Sequence, residues 1–202
     1  MENGSPMRAD VSWVAVLEHH ARRTPDMPLA IFGDETVTYG EMAERAAALA
    51  GGLHERGVNA ADVVAILSYN CTEFLETIFA ANHLGAIAMP INWRLAAPEL
   101  RYILEHSKAR ALVCDESLVD LADEATKDME HELVRVSIAQ RALGEWTPLA
   151  DLRTASNVRW MMVVAPTAII VVVMRSSAPT WYSGPHARPT SAAVKPNSVM
   201  CA

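Results

Sequence analysis

The side chains able to do chemistry in this chain are few and scattered. His19 and His20 are adjacent, so on a helix they point about 100° apart and cannot chelate one metal as an i, i+4 pair would. His83 and His106 each fall near an expected helix end, where an imidazole meets the last free carbonyls, and that structural role is expected of them in place of proton transfer. Cys71 is expected just inside a helix N-terminus, a position that lowers a thiol pKa, but no histidine lies close to it in sequence and it reads as a small helix-start residue. Trp93 and Arg94 fit a packed strand-to-helix turn. Tyr39 and Glu41 fit helix entry and capping. The three cysteines, Cys71, Cys114 and Cys201, form no Cys-x-x-Cys or paired Cys/His spacing of a zinc site. No residue is therefore assigned as catalytic, cofactor-binding or metal-ligating.

The elements that would position these groups follow from periodicity and punctuation. Ser12 can cap a helix to about Arg23 with Val14, Leu17 and Ala21 in one stripe, ended by Thr24, Pro25 and Pro28. Leu29–Phe32 and Thr36–Thr38 read as strands around a Gly33-Asp34 hairpin turn. Thr38 and Glu41 have capping-box spacing, and the small apolar face from Met42 to Leu53 predicts a closely packed helix stopping at Gly57. Val63–Leu67 is a continuous apolar run, as in strands covered on both faces. Asn70 and Glu73 repeat the cap-and-carboxylate spacing ahead of a helix with Phe74, Leu75, Ile78 and Phe79 on its face. Ala86–Ile91, broken by Pro90, is a second buried strand, and Pro98 opens a helix with Leu100, Ile103 and Leu104 inward. Ala111–Cys114, a helix from Ser117 to about Thr126, and Leu133–Ile138 complete another pair. Such alternation predicts an α/β fold: an open, mostly parallel sheet with flanking helices and right-handed crossovers.

On these elements sit residues that carry a resemblance. Thr38-Tyr39-Gly40-Glu41-Met42 resembles the first core motif of the adenylate-forming (AMP-binding) acyl-CoA synthetase superfamily. Val63 to Asn70, then Glu73-Phe74, then Ala80 to Asn92 with Gly85 and Pro90, follow in the family's order and look like its second core motif. Trp93-Arg94-Leu95, Pro98-Glu99-Leu100 and Tyr102-Ile103-Leu104 are similar to fatty-acyl and aryl-acid CoA ligases more than to peptide-synthetase adenylation domains. The resemblance spans roughly Trp13 to Asp123. It implies an N-terminal part of a ligase that joins a fatty or aryl carboxylic acid to AMP and then to coenzyme A, with ATP, Mg and coenzyme A as the cofactors of an intact member and none expected for this fragment. It also places Trp93 and Arg94 near the acyl pocket of an intact enzyme. The family's Ser/Thr/Gly-rich phosphate loop ending in Pro-Lys-Gly, its Thr-Glu pair, its ribose Asp and its C-terminal Lys are not found. Tyr182 to Pro189 echoes the loop faintly, but Pro185 and Pro189 lack the N–H that a phosphate cradle uses, and no Lys follows directly.

Composition divides the chain. It has 202 residues, 51% hydrophobic and 20% charged, which excludes a wholly disordered protein. All 24 acidic residues lie at or before Asp151, with 12 of the 17 basic ones; the last 51 residues carry five basic residues and no acid, so the balance is −12 and then +5. The expected organisation is an N-terminal α/β subdomain over 1–151 and an irregular, acid-free segment over 152–202, from Arg175 onward with four prolines and five serines and no regular periodicity. A shifted reading frame or a truncated gene is the expectation for that segment, and a chain inactive by itself follows; the alternative is a non-catalytic interaction fragment that self-associates through a bare sheet edge and an uncovered apolar face. An acidic body excludes a nucleic-acid partner. Trp160–Met174, fifteen uncharged residues interrupted by Pro166, falls short of the roughly 18–20 needed to span a bilayer as a helix. The N-terminal ten residues have no signal-peptide core, and the few scattered cysteines fit a reducing, cytoplasmic location.

Overall fold

A computed structural model describes residues 12–155. Helix α1 (Trp13–Arg23) starts where Ser12 Oγ accepts the Ala15 N–H at 3.1 Å. It is followed by an antiparallel hairpin, β1 (Pro28–Phe32) and β2 (Glu35–Thr38), whose turn uses Gly33 at φ +58°. Helix α2 (Tyr39–Glu55) opens on the expected capping box: Glu41 N–H donates to Thr38 Oγ1 at 3.2 Å, and Thr38 N–H donates to the Glu41 carboxylate at 2.8 Å. Gly57, at φ +85°, turns the chain after it.

The main sheet is built from β3 (Val63–Leu67), β4 (Ile87–Pro90), β5 (Ala109–Asp115), β6 (Val134–Ile138) and β7 (Thr147–Pro148) in the order β4-β3-β5-β6-β7, every neighbouring pair parallel. The returning segments are α3 (Thr72–His83), α4 (Ala97–Ser107), and a 3-10 turn (Glu116–Leu118) running into α5 (Val119–Thr126); α6 (Leu149–Ala155) follows β7. Val64, Ile66, Ala111, Val113, Val136 and Ile138 point to one face, packed against Leu49 and Leu53 of α2, Ala80 and Ala81 of α3 and Leu149 and Leu152 of α6. Ala65, Leu67, Leu112 and Cys114 point to the other, against Leu100 and Leu104 of α4 and Ala122 and Ala125 of α5. Continuous apolar runs are therefore required, because each successive residue meets a helix layer. A fully buried leucine in either layer is worth about 1.5–3 kcal/mol.

Most expected elements are present, with informative departures. The cap of α3 is Cys71, not Asn70, and it makes no side-chain cap bond. Glu73 then stands one place too early to complete a box, and Thr72 Oγ1 instead reaches Glu35 of the hairpin at 2.8 Å. Pro98 lies in the first turn of α4, where its missing N–H costs nothing, and Glu99 alone reaches back to the Ala96 N–H at 2.9 Å. Strand β7 and helix α6 were not expected: two residues, one of them Pro148, carry no readable alternation. Among the described residues both faces of the five-stranded sheet are covered by helices, in place of the expected bare apolar face. The Tyr182–Pro189 stretch, rejected above as a phosphate loop, Cys201 and the Trp160–Met174 run lie outside the described residues.

Candidate functional site: the carboxyl edge of the parallel sheet

Sheet order places the site before any side chain is considered. From β3 the chain crosses through α3 to β4 on one side, then through α4 back past β3 to β5 on the other. The direction of winding reverses between β3 and β5, and in open α/β sheets the crevice outside the carboxyl ends of the strands at such a point is where ligands bind. Here that crevice is framed by Ser68–Cys71 after β3 and Asp115–Leu118 after β5, with Ile91–Leu95 after β4 alongside.

The edge is polar and aromatic. Ser68, buried, donates its hydroxyl to the Tyr69 carbonyl at 2.9 Å and lies 3.6 Å from Cys71 Sγ. Asp115 accepts from the Ser117 N–H at 3.0 Å and from its hydroxyl at 2.6 Å, which shapes the turn into α5. Asn92 Oδ1 accepts from the Arg94 N–H at 3.1 Å. Tyr69 and Trp93 rings meet at 4.9 Å with their planes 57° apart, and the Arg94 guanidinium lies 4.1 Å from the Trp93 ring centre. Tyr69 and Trp93 are 24 positions apart, so no local spacing signals their contact.

Histidines sit at the opposite edge. Helices that return antiparallel to the strands end at the strands' amino ends, and His83, His106 and His131 precede β4, β5 and β6 by only a few residues. Neither Ser68 nor Cys71 is thereby set on the same edge as any of these imidazoles, and neither forms a nucleophile–base pair with them among the described residues. His83 meets no helix-end carbonyl: its Nε2 is buried without a hydrogen-bond partner, and burial holds its pKa below the ordinary value, Glu18 opposing. His106 stacks on Tyr102 at 5.5 Å. His19 and His20 form an edge-to-face pair at 5.4 Å, and His20 also meets Tyr39 at 4.8 Å. Cys71 and Cys114 are buried and not joined in a disulfide, and burial, with Asp115 and Asp123 nearby, pushes the Cys114 thiol well up. Glu41 is held below the usual carboxylate range by the Thr38 N–H and then the Thr38 hydroxyl.

Clefts at the amino edge are different in kind. One of about 460 Å³ is lined by Arg56, Arg110, His131, Glu132 and Arg135, and another of about 810 Å³ by Asp62, Glu105, Lys108, Asp128 and Glu130. Two of their arginines are committed to the protein itself: Arg110 donates to the Gly57 and Glu132 carbonyls, both at 3.4 Å, and Arg56 to the Gly52 carbonyl at 3.2 Å. Topology favours the carboxyl edge over these grooves. Among the described residues no three His, Cys, Asp or Glu side chains come together to hold a metal ion. No helix among them is long and apolar enough to cross a membrane.

Comparison with known proteins gives this geometry a lineage. The family model described as AMP-binding enzyme matches residues 17–200. A feruloyl-CoA synthase from Amycolatopsis sp is 41% identical over 93 residues, 46% of this chain and 19% of the relative. A long-chain-fatty-acid–CoA ligase from Thermus thermophilus is 40% identical over 86 residues, 43% of this chain and 16% of the relative. The solved fatty acyl CoA synthetase of Mycobacterium tuberculosis superposes with a TM-score of 0.59 at 26% identity, covering 71% of this chain and 28% of that one. The chain thus spans about a fifth of the curated relatives it matches. A family model over most of the chain, on a parallel sheet shared with solved acyl-CoA synthetases, establishes that this protein belongs to the AMP-binding enzyme family.

Proposed function

We propose that this chain supplies the amino-terminal α/β part of an acid–thiol ligase, one that couples a fatty or aryl carboxylic acid to AMP at the expense of ATP and passes the acyl group to coenzyme A. The observation that carries the reading is the family match over residues 17–200 laid on an all-parallel sheet. Feruloyl-CoA synthase and long-chain-fatty-acid–CoA ligase among the relatives support an aryl or fatty acid. ATP, Mg and coenzyme A are the cofactors of the whole ligase. Composition divides the chain into an α/β subdomain over 1–151 and an acid-free segment over 152–202, while α6 carries Leu152 and Arg153 into the packed fold and the family match continues to residue 200. Two buried cysteines outside any disulfide support a reducing, cytoplasmic setting.

By itself the chain is inactive in this reading, since adenylation depends on positioning and on stabilising phosphate charge, and the family's Ser/Thr/Gly-rich phosphate loop is not found in its sequence. Two measurements test it. ATP–pyrophosphate exchange with a panel of aryl and fatty acids is silent for the chain alone; exchange above background overturns the inactivity. In a graft, residues 12–155 replace the matching part of the Thermus ligase: restored exchange supports the ligase reading, and a folded but inactive graft counts against it. A second reading, self-association, is favoured by the single-sided pairing of β4 at the sheet edge, although Pro90 removes one donor there. A monomer by light scattering across a wide concentration range dismisses it.

A further inference from the structure

Two arginines at the amino edge of the sheet carry more donors than the protein uses. Arg56, the C-cap of α2, donates one nitrogen to the Gly52 carbonyl at 3.2 Å and makes no ion pair among the described residues. Arg110, the second residue of β5, donates Nε to the Gly57 carbonyl and Nη1 to the Glu132 carbonyl, both at 3.4 Å, which is long for N–H···O. The carboxylate it faces, that of Glu132, lies 3.8 Å away and is 94% exposed, so water screens the pair. A guanidinium has five N–H donors, and most of those of Arg56 and Arg110 are without a protein acceptor among the described residues. Gly57 brings the two residues together. It follows Arg56 directly, turns at φ +85°, and leaves open the space that Arg110 fills: a Cβ there would stand 3.1 Å from Arg110 Nη2. Both arginines line the cleft of about 460 Å³, together with Arg135. Arg135 spends its outer nitrogens on Glu145 and Thr126, while its Nε is out of solvent with no acceptor. An orphaned buried donor beside two underused guanidinia is a local excess of donors over acceptors.

Negative groups limit what can enter. Glu130 and Glu132 are exposed members of the same lining, and the carbonyl end of α2 faces this edge, offset by the bond from Arg56 to Gly52. The adjoining cleft of about 810 Å³ carries Asp62, Glu105 and Asp128 against Lys108. A long polyanion would be repelled there, so a compact anion suits the cleft and a nucleic acid does not. Two cations without a close carboxylate match the near-double charge of a phosphate group better than the single charge of a carboxylate. We propose that Arg56 and Arg110 form a phosphate-binding site at the amino edge, which takes inorganic phosphate or a small phosphate monoester. It lies at the opposite end of the strands from the carboxyl-edge crevice, so a ligand here leaves that crevice free, and the inference does not rest on the ligase reading.

Isothermal titration calorimetry on the full chain, in a phosphate-free buffer, tests it with inorganic phosphate, glycerol phosphate and acetate. Saturable binding of inorganic phosphate alone identifies the free ion as the ligand; binding of glycerol phosphate, with or without inorganic phosphate, identifies a monoester. Either pattern supports the site if Arg56→Gln and Arg110→Gln each weaken binding about tenfold, while Arg22→Gln, which removes the same charge from an exposed position on α1, leaves it unchanged. Arg110→Lys falls between, because it keeps the charge and loses the fork. Arg110 also braces the Gly57 and Glu132 backbone; should its variants melt early, Arg56→Gln, which releases one helix-end carbonyl, decides the result. Acetate bound as tightly as phosphate, no saturable binding of either phosphate, or an affinity unmoved by Arg56→Gln overturns the proposal. An equal loss in Arg22→Gln overturns it as well, since the protein would then be responding to net charge.

Discussion

Glu76 of α3, with its side chain fully buried, is gripped by both arms of the Arg153 guanidinium of α6, Nε donating to one carboxylate oxygen at 2.7 Å and an Nη to the other. The two residues are 77 positions apart, and the pair ties the last described helix to the middle of the fold. Burial raises the Glu76 pKa while Arg153 pulls it down; burial also disfavours the Arg153 cation, and the carboxylates of Glu76, Glu73 and Glu35 more than offset that. A buried pair of this kind is weak evidence for net stability, but removing one partner leaves an uncompensated charge.

Replacing Arg153 with Met is therefore expected to destabilise the protein by about 3 kcal/mol, the low end for a broken buried pair because Arg153 keeps some solvent contact. Glu76 titrates higher folded than unfolded, so its contribution is fullest below its ordinary 4.5 and is lost as pH rises through the folded value. The deficit of Arg153→Met should accordingly shrink between pH 7 and pH 5. Urea melts at the two pH values measure it, and a deficit that grows on acidification refutes this account of Glu76.

Gly52 is where α2 lets α6 approach. A Cβ there would stand 2.3 Å from the Leu152 carbonyl oxygen and 2.8 Å from the Leu152 Cβ, contacts that require a helix to move. Alanine normally gains about 1 kcal/mol over glycine inside a helix; here overpacking reverses the sign, and Gly52→Ala is expected to cost about 1–3 kcal/mol. Faster proteolysis near Leu152 than elsewhere would locate the damage at α6.

His83 is half-buried with its Nε2 out of solvent, and that burial lowers its pKa from 6.5, Glu18 opposing. A depressed value means that its contribution to stability is present above the unfolded pKa of 6.5 and is lost as pH falls through the folded one. Substitution by Leu removes the unpartnered Nε2 and should leave stability at pH 8 within about 1 kcal/mol of the parent, while flattening the decline below pH 6.5. Thermal scans from pH 8 to pH 5 check this; an unchanged acid limb means that another group titrates there.

The capping box of α2 yields a fourth expectation. Thr38→Ala removes the oxygen that accepts the Glu41 N–H and should cost about 1 kcal/mol. Glu41 acts in the same place with an acid-side signature: its lowered pKa makes its help present above the ordinary 4.5 and lost as pH falls below it. Helix content by circular dichroism and the thermal midpoint of both variants report the effect, and a Thr38→Ala protein as stable as its parent dismisses the cap as a determinant.

Local chemistry made much of the molecule legible before any coordinates. The Thr38 and Glu41 box, the Pro98 helix start and the runs Val63–Leu67 and Ala111–Cys114 are contacts among residues a few positions apart, or faces repeated at fixed period, and they appear where expected. The ordered motifs from Thr38 to Leu104 likewise carried the family, since they record a succession of elements and not a fold-wide contact. Asn70 misled because a cap depends on where the first helical residue falls, and Thr72, drawn to Glu35 of the hairpin, is that residue.

Long-range pairing was decided by the tertiary structure alone. Strand order, with β5 crossing to the far side of β3, creates the carboxyl-edge crevice, and nothing in a one-dimensional pattern states on which side a strand lands. The same holds for Tyr69 with Trp93, and for Glu76 with Arg153: a stack or an ion pair is a property of distance in space, while a sequence determines only which groups are available for it. Trp146 makes the point again, for its indole, 2% exposed, donates to Asp123 at 2.8 Å across 23 residues that carry no shared period. By itself the sequence determined the elements, their two-faced burial and the family; packing determined the site, because a site is made where distant segments meet.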